Sequence, residues 1–298
     1  MSPAIDISII VPVYNNEDHV EACIQALLSQ RYSDGACEFI LVDNNSTDRS
    51  AEIVKRYPGI RLLSQPKQGS YAARNLGLSE AQGQIIAFTD SDCVPRADWL
   101  QQIADTMRNS SVGIVLGRRE FQGRSRPLKS LEAYEAHKAN YILSGTDREV
   151  FFGYTNNMAV RRSLMDAVGP FTELGRGADT IFVRRAIDRF SCQILRYSPD
   201  VVIRHLEITS VWNWYRKMYT YGRSYQNYRR LVVAHPLSNA QRLEVFKRTS
   251  TSNFSWLESA RLLTLLGGGC FLWQLGRLSG TRGLRPAAMP AEITKRTQ

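Results

Sequence analysis

Residues 87–95 read AFTDSDCVP: an apolar run, Ile85–Phe88, ends here, and two carboxylates, Asp90 and Asp92, follow. Such a run marks the end of a buried strand, and burying charge is costly unless something compensates it. In extended chain, residues two apart point to the same side, so the two acids converge. Carboxylates that close repel unless one is protonated or a cation lies between them. Oxygen ligands favour Mg2+ or Mn2+ over zinc, and magnesium is commonly held by one or two carboxylates with substrate phosphates completing its shell. D-x-D at a strand end therefore reads as a device for docking a diphosphate through a divalent cation. A solvated acidic turn is the competing reading of these three residues alone.

The chain upstream alternates in the manner of βαβ units. Ile7–Val13 (ISIIVPV) is almost continuously apolar, as a strand buried on both faces of a parallel sheet must be. Asn15–Gln30 carries Val20, Cys23, Ile24, Leu27 and Leu28 at helical spacing. Phe39–Val42 predicts a second strand ending at Asp43, with Ser46 or Thr47 capping a short helix behind it. A third strand over Ile60–Leu63, a helix over Ser70–Ala81, a fourth strand over Ile85–Phe88, a helix over Asp98–Met107 and a strand over Val112–Leu116 complete this half. Ligands of open α/β sheets bind outside the carboxyl ends of the strands, and Tyr14, Asp43, Asp90 and Asp92 all fall there.

Beyond residue 120 the pattern changes. Leu128–Leu143 reads as a polar-rich helix, residues 155–162 as a short strand with a polar entrance, and Gly175–Arg189 as a glycine-rich loop entering an amphipathic helix. Cys192–Tyr197 and Val201–His205 predict two further strands. The organisation expected is one catalytic domain over residues 1–231, with 1–117 its nucleotide-binding half and 118–231 its acceptor-binding half. A basic helical extension over 232–298 follows.

The 298 residues are 43% hydrophobic and 22% charged, ordinary for a globular protein. Five scattered cysteines without a C-x-x-C fit reduced thiols rather than a disulfide framework or zinc site. The N-terminus MSPAIDISII has no basic region ahead of a long apolar core, so no secretory signal is expected and the location expected is cytoplasmic. Residues 1–110 carry 9 Lys/Arg and 14 Asp/Glu, a net of −5; residues 111–298 carry 29 and 14, a net of +15. Basicity confined to the second part suits an anionic surface partner or a merely solvated face. No G-x-G-x-x-G follows the first strand and no G-x-x-x-x-G-K-[ST] loop is present, which disfavours dinucleotide-dependent oxidoreductases and P-loop NTPases. A non-catalytic basic module for membrane or nucleic acid would leave the acids at the strand ends without a role.

Three ordered segments, SIIVPVYNNEDHVEACIQALLSQ (8–30), FILVDNNSTDRSAEIV (39–54) and QPKQGSYAARNLGLSEAQGQIIAFTDSD (65–92), resemble the family 2 glycosyltransferases of GT-A fold. The resemblance extends over roughly residues 5–225. It implies an α/β fold with a Rossmann-like, mainly parallel central sheet flanked by helices and a helical C-terminal extension. It also implies inverting transfer of a sugar from a nucleotide-diphosphate sugar to a hydroxyl acceptor, lipid-linked or polysaccharide, with Mg2+ or Mn2+ and no nucleic acid. Carried over residue by residue, Pro12, Val13 and Tyr14 would line the base and ribose pocket with Glu17 close by, and Asp43 would accept a hydrogen bond from the base. Lys67, Gly69 and Arg74 would approach the nucleotide and its phosphates, and Ser91 belongs to the same donor site. Asp90 would touch the ribose and the hydrated metal, and Asp92 would coordinate the metal with His205 as a further ligand. Asn156 and Asn157 would bind the donor sugar or shape the acceptor pocket. Asp179 is the expected catalytic base, although Ala178-Asp179 stands where the family commonly has Glu-Asp; a helix cap is its structural alternative. Trp99 is expected in the core.

The segment Thr209–Leu231 spaces Val211, Trp214, Tyr215, Met218, Tyr221 and Tyr225 helically and crowds Arg216, Lys217, Arg223, Arg229 and Arg230 onto the remainder. That is either a core-packed helix with a solvated basic face, or a membrane-surface or diphosphate-lipid site. Leu262–Leu275 (LLTLLGGGCFLWQL) is too short to span a bilayer, which takes about 20 residues. Its triple glycine weakens a single helix, so an interfacial, re-entrant or homodimer-forming hairpin is expected, at most peripheral to a membrane.

Overall fold

The computed structural model describes residues 5–229, 231–251 and 254–279. Arg230, one of the basic residues of the 209–231 segment, and residues 280–298 of the expected basic extension lie outside the described residues. The order is β1 (Ile5–Val13), α1 (Val20–Leu28), β2 (Ala36–Asp43), α2 (Ser50–Lys55), β3 (Arg61–Ser64), α3 (Ser70–Glu80), β4 (Ile85–Thr89), β5 (Cys93–Pro95), α4 (Trp99–Met107) and β6 (Ile114–Phe121). It continues through α5 (Arg126–Leu143), β7 (Asn157–Arg161), α6 (Arg162–Val168), α7 (Ala178–Arg189), β8 (Leu195–His205), α8 (Val211–Tyr228), α9 (Asn239–Thr251) and α10 (Trp256–Ser279).

The strands form one eight-stranded sheet in the order β3-β2-β1-β4-β7-β6-β8-β5. Pairing is parallel across β3-β2-β1-β4 and mixed beyond, where β7 runs antiparallel to both neighbours and β8 runs parallel to β6. Parallel pairing is thus concentrated in the first half. Strand β1 alternates as a doubly covered strand should: Ile7, Ile9, Val11 and Val13 enter a core under α1 and α4, while Ile10 enters the opposite core under α5 and α7. Trp99 is fully buried in the first of these cores.

One connection decides the shape of the site. Only Asp90, Ser91 and Asp92 separate β4, the fourth strand of the sheet, from β5, the eighth, whose Cys93 pairs antiparallel with His205 of β8. The sheet therefore curls until its far edge returns to the acidic turn, and Leu206 N donates to Asp92 O at 2.8 Å.

Several expectations are corrected. The two strands expected over 192–205 are one, β8, with a register shift opposite Gly117 and Arg118 where Pro199 and Asp200 interrupt the ladder. Neither Ser46 nor Thr47 caps α2: Ser46 Oγ accepts from Asn15 N, and Asp48 Oδ1 accepts from Ser50 N at 3.0 Å. Leu262–Leu275 is no hairpin but the middle of the continuous helix α10. Its glycines let α10 lie directly on α8, since a Cβ at Gly269 would meet the Trp214 ring at 2.4 Å and one at Gly276 would meet Tyr219 O at 2.1 Å. Close packing offsets the propensity cost that the sequence alone reveals. Val211, Trp214, Tyr215 and Met218 of α8 share a core with α5, α9 and α10, as their spacing predicts.

Candidate active site

A cavity of about 720 Å3 opens at the carboxyl ends of β1, β2 and β4 and runs between α3, α7 and the helices of the C-terminal part. It brings together Pro12, Tyr14, Gly69, Arg74, Asp90, Ser91, Asp92, Asn156, Asp179 and His205. Tyr14 is half exposed where it lines the cavity. Arg74 is buried, forms an ion pair with Asp90, donates to Ser70 O and stacks on Tyr71. Ser91 Oγ accepts from Asn16 Nδ2 at 2.7 Å, which fixes the turn between the acids. Gly69 has φ 142° at the start of α3, a backbone conformation that side-chain-bearing residues rarely adopt.

The carboxylate of Asp92 is largely buried. Burial first, and the charge of Asp90 second, push its pKa up to about 7. His205 Nδ1 stands 3.4 Å from Asp92 Oδ2 and, although buried, has no hydrogen-bond partner. Burial and then the charges of Lys217 and Arg119 hold the imidazole well below its ordinary pKa, hence neutral. Its Nε2 lies 3.0 Å from Lys217 Nζ, which also reaches Glu207 Oε2 at 3.1 Å. Asp92, Cys93 and His205 can offer three ligand atoms within 4.8 Å of one another. Burial, with Asp92 beside it, raises the Cys93 thiol well above its usual pKa, and its Sγ donates to Asp92 Oδ1 at 3.3 Å. The oxygen and imidazole donors, not the protonated thiol, are thus the groups suited to a hard divalent cation.

Asp179 is the second residue of α7, behind Gly177 in the left-handed conformation with φ 94°. It does not act as the N-cap: Gly177 holds that position, while Asp179 Oδ1 accepts from Thr180 N at 2.8 Å. Burial raises its pKa against the opposing pull of that amide and of Arg74. Tyr71 OH accepts from Asp179 N at 3.4 Å. A carboxylate with raised basicity at a cavity wall suits proton abstraction.

Five expected site residues lie outside this lining. Asn157 is fully buried and wholly engaged: its Oδ1 accepts from Trp99 Nε1 at 2.8 Å, and its Nδ2 donates to Arg118 O at 2.8 Å and Val201 O at 2.9 Å. It bridges strands and has no group left for a sugar, whereas the adjacent Asn156 keeps a buried Oδ1 without a partner. Val13 faces the core with no exposed surface. Glu17 pairs with Arg49, and Lys67 with Glu173. Asp43 accepts from Ser46 N at 3.3 Å and shapes its own turn. Asn44, overlooked in the sequence, is the buried pin of the loop before α3: it donates to Gln65 O and Lys67 O and accepts from Gly69 N at 2.7 Å. Its position one residue past the second strand was the available signal. Arg119 and Tyr71 were likewise overlooked, the first because nothing local distinguishes it from its basic neighbours, while Lys217, expected only among the basic residues of 209–231, also lines the cavity.

Residues 8–169 match the family model described as glycosyl transferase family 2. Glycosyltransferase AglE of Haloferax volcanii is 33% identical over 205 residues, covering 67% of this chain and 66% of that protein. The chain spans 26% and 32% of the lengths of two further curated glycosyltransferases. Among solved structures, mannosyltransferase PcManGT from Pyrobaculum calidifontis, in complex with GDP-Man and Mn2+, superposes with a TM-score of 0.61 at 19% identity, covering 94% of this chain and 84% of that one. S. aureus TarS 1–349 in complex with UDP-GlcNAc gives 0.53 at 18% identity, over 93% and 84% of the two chains. These likenesses establish the same fold, an α/β architecture with a curled central sheet and a helical C-terminal part.

Proposed function

The chain belongs to glycosyl transferase family 2 and is a glycosyltransferase; from that premise we propose that it is a metal-dependent, inverting enzyme moving a sugar from a nucleotide-diphosphate sugar to a hydroxyl acceptor in glycan, polysaccharide or glycolipid synthesis. The observation that carries this is the convergence of Asp90, Asp92, the unsatisfied His205 Nδ1 and Asp179 on one cavity. Two solved neighbours hold nucleotide sugars, and one holds Mn2+ as well, which supports the same reading.

A divalent cation, Mg2+ or Mn2+, fits the donor set of Asp92, Asp90 and His205 Nδ1, and when bound it stabilises the negative charge of a departing diphosphate. His205 would hold the cation through Nδ1 with its ring proton on Nε2, which would leave the Lys217 ammonium free of the ring. Tyr14, Pro12 and Gly69 receive the nucleotide. Asp179 takes the proton of the acceptor hydroxyl as its oxygen attacks the anomeric carbon; the bond from that carbon to the diphosphate oxygen breaks, and configuration inverts. Arg74, paired with Asp90, partly offsets the negative charge of the acidic pair. The test is a thermal-shift panel of UDP- and GDP-sugars with and without Mn2+. Stabilisation by at least one nucleotide sugar that disappears with EDTA is expected; indifference to every nucleotide would refute the reading.

The enzyme works, on this reading, at an anionic membrane surface, as a peripheral rather than a spanning protein. No described helix is long and apolar enough to cross a membrane. Yet the face of α10 turned away from α8 exposes Trp256, Leu263, Phe271 and Leu278, and α8 exposes Trp212 with Arg216 and Arg223. Apolar side chains with tryptophan and flanking cations suit an interfacial position on anionic lipid. Flotation with phosphatidylglycerol vesicles should carry the chain, and Phe271→Glu with Leu278→Glu should release it. A chain that stays off vesicles, or that buries this face as a homodimer, would overturn the assignment.

A further inference from the structure

Arg119 stands out among the cations of the cavity. It lies on β6, paired with Ile203 of β8, so its backbone is fixed by the sheet. Its guanidinium stacks on the buried Tyr154 ring, 4.1 Å from the centroid, and Tyr154 is itself anchored by donation from its hydroxyl to Gly117 O at 2.8 Å. Stacking engages the face of a guanidinium and leaves its N–H edges unspent. Among the described residues Arg119 has no carboxylate within ion-pair distance. The nearby acids are committed elsewhere: Glu120 to Arg118, Glu135 to Lys138 and Glu207 to Lys217. Arg119 is half-buried and Glu135 favours its charge from beyond ion-pair distance, so what its N–H edges lack is a direct anionic partner.

The position of Arg119 indicates which ligand. Arg119 and Lys217 both line the cavity beyond His205, on the side away from Tyr14, Gly69 and Arg74. The charges of both reach the His205 ring. Past Lys217 the cavity continues beside α5, α8 and α10, where Met218, Leu237, Leu266 and Trp273 line it together with Glu135, Ser224 and Arg242. An anion held at Arg119 would therefore belong to the molecule entering opposite the donor.

We propose that Arg119, with Lys217 beside it, binds a phosphoryl group carried by the acceptor. The proposal rests on the glycosyltransfer reading above and narrows its acceptor to a phosphorylated compound. A guanidinium fork matches two phosphate oxygens at once, and the ammonium of Lys217, released from His205 when Nδ1 takes a metal, supplies a second contact. The source of the phosphate is either a lipid phosphate, whose chain would lie along Met218, Leu237, Leu266 and Trp273, or a free phosphorylated metabolite.

Calorimetry on the full chain, saturated first with Mn2+ and the nucleoside diphosphate that stabilises it, separates the two sites. Inorganic phosphate should then still bind, and Arg119→Met should weaken it by at least about tenfold while leaving nucleoside diphosphate affinity and melting temperature unchanged. Arg119→Lys, which keeps the charge and loses the fork, should fall between. In the transfer assay Arg119→Met should raise the acceptor KM and leave the donor KM alone. Geranyl phosphate binding at least tenfold more tightly than glycerol 3-phosphate identifies the lipid source, and the reverse order identifies a free metabolite. Phosphate affinity equal to wild type in both variants, or an Arg119→Met loss confined to the nucleoside diphosphate, overturns the proposal. Failure of any nucleoside diphosphate to bind with Mn2+ would instead remove the reading on which it depends.

Discussion

Replacing Asp92 with Asn should stabilise the metal-free protein while abolishing its response to divalent cations. The Asp92 side chain is 15% exposed and sits beside Asp90, and burial followed by that charge lifts its pKa from an ordinary 3.8 to about 7. At about 1.4 kcal/mol per pH unit, the ionised acid costs the fold roughly 4 kcal/mol at pH 8. The folded protein holds the extra proton between about pH 4 and pH 7, so the stability linked to it is present below that window and lost as pH rises through it. An amide retains part of the burial cost, which leaves a gain of about 2 kcal/mol, or about 4–8 °C for a domain of this size. The assay is thermal melting of wild type and Asp92→Asn in EDTA at pH 5 and pH 8, repeated with Mn2+. The variant should melt higher at pH 8, match wild type near pH 5, and show no Mn2+-induced rise. Equal melting at pH 8, or a full Mn2+ response in the variant, would refute the argument that these acids are held together for a cation.

Asp179→Asn should leave nucleotide-sugar affinity unchanged and slow transfer by about 10²–10⁴-fold; transfer at the normal rate would remove Asp179 as the base. In wild type the acid limb of the kcat profile should lie above the usual carboxylate range, because burial raises the Asp179 pKa and the base is active only above it. Asn157→Ala leaves the Trp99 indole N–H and two strand carbonyls without partners, so urea denaturation should register a loss of about 3 kcal/mol or more. Gly222→Val drives a Cβ into contact with Trp273 O, 2.0 Å away, and should lower the melting temperature through a loss of about 1–3 kcal/mol. A silent Gly222 variant would show that α8 and α10 are not closely packed in solution.

Features set by local pattern were legible from the residues alone. The apolar runs of β1, β2 and β4 and the helical spacings of α1, α3, α4 and α8 needed only neighbours two to four positions away. The acids at the strand ends followed from where those runs stop, so Asp90 and Asp92 could be singled out with no structure, while Asp179 was singled out only by the family resemblance. Roles that depend on distant partners could not be read in this way. Asn156 and Asn157 are adjacent in sequence, yet pleating turns one to the cavity and the other to Trp99. Lys67 and Glu17 looked like ligand groups until the fold supplied Glu173 and Arg49. The triple glycine of α10 counted against a helix because propensity is local, while the packing against α8 that overrides it is not. Only the curl of the sheet, which pairs β5 with β8 across residues 93 and 205, brings His205 to Asp92 and leaves Arg119 without an ion pair among the described residues. Chemistry confined to one strand end is written in consecutive residues, whereas a shared charge or an unpaired one exists only once the chain has closed on itself.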